Sequence, residues 1–261
     1  SQNLRERMEA LRPHAHENVR MVALSKGIEN ETLLTMSQVL NDVFEQVPRE
    51  QIGTLYGPSH AEEVAEGRPT AIVAASSDET EARRIQKMFM TERLRVYVNT
   101  DVLGVEIGGS AKNVLAIAAG IADGVSYGDN AKAALVTRGL AEIRRLGQAL
   151  GADPQTFAGL AGIGDLVVTC MSRHSRNRHV GEQISSGKSL EQVVDEMEMV
   201  AEGVRTTRSV YNLAKQHGVE MPITEAVHAI LFDDKSPRKM VKRLMTRSAK
   251  HENWLPTTLQ R

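Results

Sequence analysis

The chain has 261 residues, 41% hydrophobic and 25% charged, with a formal net charge of −1; that is enough for one large domain or two ordinary ones around a real core. A balanced charge gives no global field towards nucleic acid or an anionic membrane. Cys170 is the sole cysteine, the opening SQNLRERMEALRPH lacks the apolar stretch of a signal peptide, and the longest apolar run, 114–122, is too short to cross a bilayer, so a soluble cytoplasmic protein is expected.

From residue 1 to about 103, short β-branched runs alternate with helical patterns. VRMVALS (19–25), GTLYG (53–57), TAIVAAS (70–76) and LRVYVNT (94–100) read as strands, and 31–46 and 78–90 carry apolar residues at helical spacing. This alternation predicts an α/β layer with a mostly parallel sheet. After about 104 the strand signals stop. Helices are expected over 110–124 and 130–151, then from Asp153-Pro154, where aspartate suits a cap and proline the first turn. Ser189 and Gln192 form a capping-box pattern before VVDEM, and Pro222 and Pro237 mark further boundaries. The division expected is 1–103 and 104–261. No strand–G-x-G-x-x-G–helix pattern occurs; the lone G-x-G of AGIGDL (161–166) follows helical sequence and is rejected as a phosphate turn. The chain therefore reads as starting within a sheet, with an exposed apolar edge expected.

Four stretches bear on chemistry. Lys112 stands among small and apolar residues in GGSAKNVLAIAAGIADGVSYGDN (108–130). On a helix, Ala111, Val114, Leu115, Ala118 and Ala122 form an apolar stripe, and Lys112 shares the neighbouring face with Ala116, Ala119 and Asp123. Such a lysine either snorkels to solvent or is used in a site, and the small residues leave room for another helix or a substrate. The run 165–179 crowds Asp165, Arg173, His174, Ser175, Arg176, Asn177, Arg178 and His179, donors that suit a phosphate monoester but equally describe a solvated basic loop. A nucleic-acid patch is disfavoured, because stacking aromatics are missing from it. Lys26 follows a strand, where open α/β sheets carry ligand groups. Gly57, Pro58 and Ser59 follow another strand and open a helix, although they also make an ordinary turn.

Taken in order, SKGIE, GPSHAEEVAEG, GGSAKNVLAIAAGIADGVSYGDN, AGIGDLVVTC, SRNR and VAEGVRTT resemble the NAD(P)-dependent glycerol-3-phosphate dehydrogenases of the bacterial type, over almost the whole chain from residue 19. The resemblance implies the remainder of a Rossmann-type nucleotide-binding domain followed by a helical domain, with the site between them. It implies reversible reduction of dihydroxyacetone phosphate to sn-glycerol 3-phosphate for phospholipid synthesis, with NAD or NADP as cofactor and no metal. By the same resemblance, Lys112 is the proton donor and acceptor. Lys26, Gly57, Ser59, Lys112, Asp165, Ser175, Arg176 and Asn177 meet the substrate, and Lys26, Ala61, Arg176, Val200 and Glu202 border the nucleotide.

A lysine is ordinarily protonated up to a pKa of about 10.4. Serving as a base near neutrality thus needs burial or a nearby cation, for which Lys26 is the candidate. The family's glycine-rich turn does not occur in this sequence, so nucleotide preference is not legible and weak cofactor binding is expected. The rival readings are an inactive fragment, a hydroxyacid dehydrogenase, and a non-catalytic helical module. For the last, the 130–151 stripe of Ala134, Leu135, Ile143, Leu146 and Leu150 suits a homodimer or, equally, the chain's own core.

Overall fold

The computed structural model describes residues 1–16, 18–197, 201–249 and 251–252. The first part is a four-stranded sheet in the order β1 (Met21–Ala23), β2 (Ile52–Tyr56), β3 (Thr70–Ala75) and β4 (Leu94–Asn99), flanked by α1 (Leu4–Leu11), α2 (Met36–Val43), the short α3 (Ala61–Ala65) and α4 (Glu79–Phe89). β1–β2 and β3–β4 are parallel, but β2–β3 is antiparallel, with Thr54 opposite Ala75. The five-residue α3 returns the chain beside β2, a reversal that alternation of element types does not reveal.

Local chemistry accounts for the element ends. Thr35 and Gln38 close a capping box on α2, so that helix starts at Met36 rather than at 31, and Leu33 takes φ 59° in the turn before it. Asp78 caps α4 by accepting from the Thr80 amide at 2.9 Å. Ala82 and Ile85 of α4 lie fully against the sheet, while its Glu79–Arg83 pair faces solvent. The N-terminal α1 carries no fully buried residue, which explains why its weak apolar spacing does not read as a helix.

The second part is built around α5 (Val102–Gly124), 23 residues long. It begins eight residues before the expected start, because Asp101 caps it by accepting from Gly104 N at 2.9 Å. The intervening LGVEIGG is helical only through its surroundings. Every residue from Gly104 to Ala122 is buried, so the single-stripe expectation gives way to a helix enclosed on all sides. By length and composition α5 could cross a membrane, yet 89% of its apolar window is buried inside the protein. Burying each Leu or Ile here stabilises by roughly 1.5–3 kcal/mol. Around it pack α6 (Gly128–Ala149), α7 (Asp165–Met171), α8 (Arg176–Ser185), α9 (Leu190–Asp195), α10 (Glu202–Gln216), α11 (Pro222–Phe232) and α12 (Pro237–Met245).

The small residues of α5 serve helix contact. A Cβ on Gly120 would stand 1.8 Å from the Arg178 carbonyl, and one on Gly181 would stand 2.1 Å from that of Ile117, so α5 and α8 touch backbone to backbone. Ser189 and Gln192 form the expected capping box on α9, and Pro222 and Pro237 occupy the first turns of α11 and α12. Asp153-Pro154 does not open an α-helix. Its aspartate accepts from the Gln155 amide at 2.8 Å and starts a 3₁₀ turn, which a π turn at Leu160–Gly164 joins to α7. In the α6 stripe, Ile143 and Leu146 lie in the chain's own core, while Leu135 and Leu150 are partly buried and Ala134 is exposed.

Candidate active site

Lys112 does not snorkel. It is 6% exposed, and its ammonium donates to Asp165 Oδ1 and, at 2.8 Å, to Thr169 Oγ1. Lys26 reaches the same carboxylate from the sheet side, donating to Asp165 Oδ2 at 2.7 Å and to the Gly57 carbonyl at 2.7 Å. One fully buried carboxylate thus separates two lysines that arrive from different parts of the fold.

The sequence builds this geometry locally. β2 ends at Tyr56, whose hydroxyl donates to the Ser25 carbonyl beside Lys26 and whose ring packs where a side chain at Gly109 would stand. Gly57 follows with φ +142° and no room for a Cβ, which would meet Ile72 Cα at 2.9 Å. That backbone, unfavourable for any other residue, turns the Gly57 carbonyl towards Lys26 and Ser59, whose Oγ donates to it at 3.2 Å. AGIGDL makes the π turn and first helical turn that deliver Asp165 under Lys112, and not a phosphate loop.

Burial lowers the Lys112 pKa to about 8; Asp165 raises it and the Lys26 charge lowers it again. Lys26 thus acts as the depressing cation expected from the sequence, although desolvation is the larger cause.

The basic run divides by role. Arg178 is structural, paired with Asp123 at 2.7 Å and Glu182 at 2.8 Å. Ser175 is buried and caps α8, its Oγ accepting from the Arg178 amide at 3.3 Å. Asn177 Oδ1 accepts from Gly203 N at 2.9 Å, which fastens the start of α8 to the start of α10. A Cβ on Gly203 would be 2.6 Å from that Asn177 oxygen. Arg176 stands exposed at the first position of α8, as do Arg173, His174 and His179 nearby. Ala61 is exposed at the first position of α3, and Glu202 opens α10 with its carboxylate accepting from the Ser1 amine at 2.7 Å. Val200 lies outside the described residues.

Three residues of the site escaped the sequence reading. Thr169 lies four residues after Asp165, on the same helical face, and that spacing could have found it. Tyr56 read only as a strand residue. His60 has a buried Nε2 without a hydrogen-bond partner among the described residues, and its ring centroid is 6.2 Å from that of His174.

The chain matches the family model described as NAD-dependent glycerol-3-phosphate dehydrogenase C-terminus over residues 101–242, and the corresponding N-terminus model over 1–82. It belongs to the NAD-dependent glycerol-3-phosphate dehydrogenase family. It is 88% identical over 260 residues to glycerol-3-phosphate dehydrogenase [NAD(P)+] 1 of Salinibacter ruber, covering 100% of this chain and 76% of that protein. Identity to the glycerol-3-phosphate dehydrogenase [NAD(P)+] of Chlorobium phaeobacteroides (strain BS1) is 54% over 252 residues, 97% of this chain and 75% of that one. The crystal structure of glycerol-3-phosphate dehydrogenase from Coxiella burnetii superposes with a TM-score of 0.90 at 38% identity, covering 95% of this chain and 75% of that one. The architecture is accordingly a Rossmann-type sheet part followed by a multi-helix part, and the helical-module and hydroxyacid readings fall away. The Asn177–Gly203 contact holds the starts of α8 and α10 together, with Arg176 at the first position of one helix and Glu202 at the first position of the other.

Proposed function

We propose that Lys112 carries the proton in this chain's reaction and that Asp165 and Lys26 set its charge. The protein is an enzyme, and the reaction is NAD(P)-dependent reduction of dihydroxyacetone phosphate to glycerol 3-phosphate. The bound cofactor supplies the hydride. Negative charge then develops on the ketone oxygen, and a positioned acid is required there. The Lys112 ammonium has three N–H groups. Two are used on Asp165 and Thr169, and the third polarises the ketone oxygen and then protonates it. In the oxidative direction neutral Lys112 takes the hydroxyl proton, which its lowered pKa of about 8 allows near neutrality.

Arg176, with Ser175 and Asn177, clamps the phosphate; Lys26, Gly57, Ser59 and Asp165 border the three-carbon unit. Lys26, Ala61, Arg176 and Glu202 would hold the cofactor, together with Val200. We assign residues 1–103 to the nucleotide-binding part and 104–261 to the part that carries the acid–base and phosphate groups. The setting we propose is the cytoplasm, supplying phospholipid synthesis, with a homodimer as the assembled form.

The observation that carries this reading is the Lys112–Asp165–Lys26 arrangement, in which one buried carboxylate holds two lysines from different parts of the fold and the Lys112 pKa is lowered to about 8. Oxidation of NADH or NADPH by the purified chain, measured with and without dihydroxyacetone phosphate, tests it. Ketone-dependent consumption that disappears in Lys112→Met is expected; undiminished consumption in that variant overturns the assignment.

A further inference from the structure

Lys26 reaches Asp165 with a side chain that is 18% exposed, whereas the carboxylate it meets is 1% exposed. Water is therefore open to the Lys26 ammonium as an alternative to the buried site. Keeping a lysine in one geometry also costs side-chain entropy. Tyr56 makes the contacts that hold it. Its hydroxyl donates to the carbonyl of Ser25, the residue before Lys26. The Lys26 ammonium stands over its ring, with Nζ 5.8 Å from the centroid, within range of attraction to an aromatic face. The same ring packs on α5 at Gly109, where a Cβ would be 2.6 Å from Tyr56 Cδ2. Gly109 lies three residues before Lys112, on the adjoining turn of the helix. Gly57, the next residue after Tyr56, supplies the second acceptor for Lys26.

Tyr56 is fully buried, and burial pushes its hydroxyl pKa well above the usual tyrosine value. It therefore stays a donor to Ser25 at every working pH. Pairing of β2 with β3 opposite Val73 uses the Tyr56 backbone alone, so the strand leaves the choice of side chain open.

We propose that Tyr56 is a positioning residue that holds Lys26 on Asp165 and so fixes how close the second lysine's charge stands to Lys112. Its consequence for the reaction rests on the reading of Lys112 as the acid–base group. The titratable groups that act on Lys112 or respond to it are Asp165 and Cys170 on α7, Lys26, and His60 just before α3. Burial raises the Cys170 thiol to about 12 and lowers the His60 imidazole, so both are uncharged where Lys112 titrates. Lys26 is the partly exposed member of the set, and its charge disfavours the Lys112 ammonium. Releasing Lys26 to water should thus move the Lys112 titration to higher pH, the opposite of losing Asp165.

Two readouts test this. One is the Lys112 Nζ titration followed by NMR in isotopically labelled protein, with Lys112→Met identifying the signal; it needs no turnover. The other is kcat/KM against pH for glycerol 3-phosphate oxidation. Tyr56→Phe keeps the ring and loses the hydroxyl, and should raise both midpoints by about 0.5 pH or more. In a Lys26→Met background the same substitution should move neither, because its influence passes through Lys26. A midpoint that stays or falls in Tyr56→Phe overturns the proposal, as does a shift that persists in full without Lys26. Should Tyr56→Phe fail to fold, Gly109→Ala carries the same comparison, since it displaces the ring and leaves every titratable group in place. A rise in the NMR midpoint without a matching kinetic shift supports the positioning of Lys26 and instead removes Lys112 from the acid–base role.

Discussion

Asp165→Asn removes the charge that holds Lys112 and Lys26 side by side and leaves the shape of the site nearly unchanged. Burial already pulls the Lys112 pKa down to about 8, with the Asp165 carboxylate as the largest opposing influence. At pH 7 the lysine is then about ten to one in favour of ammonium. An opposite charge at hydrogen-bond distance shifts a titration by about 1–3 pH, so its loss moves the Lys112 midpoint downwards by that much. Ammonium at pH 7 falls to between about a half and about one per cent, and reduction should slow roughly two- to hundredfold from protonation alone. Oxidation needs the neutral lysine, so its rising limb should move to lower pH by the same interval. The assay is kcat/KM against pH in both directions, together with a thermal melt, because stranding a buried charge costs up to about 3–5 kcal/mol. A midpoint that stays in place, or moves to higher pH, in a variant that remains folded refutes the reasoning.

In the unsubstituted protein, reduction should decline above about pH 8 and oxidation should rise through it, a crossing that paired pH–rate profiles would show. Lys112→Met should lower kcat by about 10²–10⁴-fold while glycerol 3-phosphate still binds by calorimetry; loss of binding alone would assign Lys112 to affinity. Arg176→Ala should weaken dihydroxyacetone phosphate roughly ten- to hundredfold and leave unphosphorylated dihydroxyacetone almost unaffected, with equal losses arguing against a phosphate contact. Glu142, buried in α6 and accepting from the Ile223 and Thr224 amides, has its pKa raised by burial to about 7. The folded state therefore holds that proton more tightly than the unfolded state does, and stability should fall as pH rises from about 4.5 to about 7. Glu142→Gln should flatten that slope in denaturant titrations; an unchanged slope would mean that Glu142 is charged in the fold at acid pH.

Much of this was legible in the sequence. The four strands, the Ser189–Gln192 capping box and the helix starts at Pro222 and Pro237 follow from residue-by-residue backbone preferences, which act over a few neighbours and need no partner. The motif order from SKGIE to VAEGVRTT carried the family, and with it Lys112, Asp165 and Arg176. Other features were decided only by the tertiary structure. The antiparallel β2–β3 pair and the extension of α5 back to Val102 depend on what packs against them. Lys112 at helical spacing is compatible with solvent or core, and burial from every side chose the core. Arg178 and Arg176 are equivalent in a basic run until Asp123, on another helix, claims one of them. The Lys26–Asp165 contact joins residues 139 apart in sequence. The lowered pKa of Lys112 comes from desolvation and then from the nearby Lys26 charge, against the raising influence of Asp165, and all three exist only once the sheet and the helices have closed over the same carboxylate.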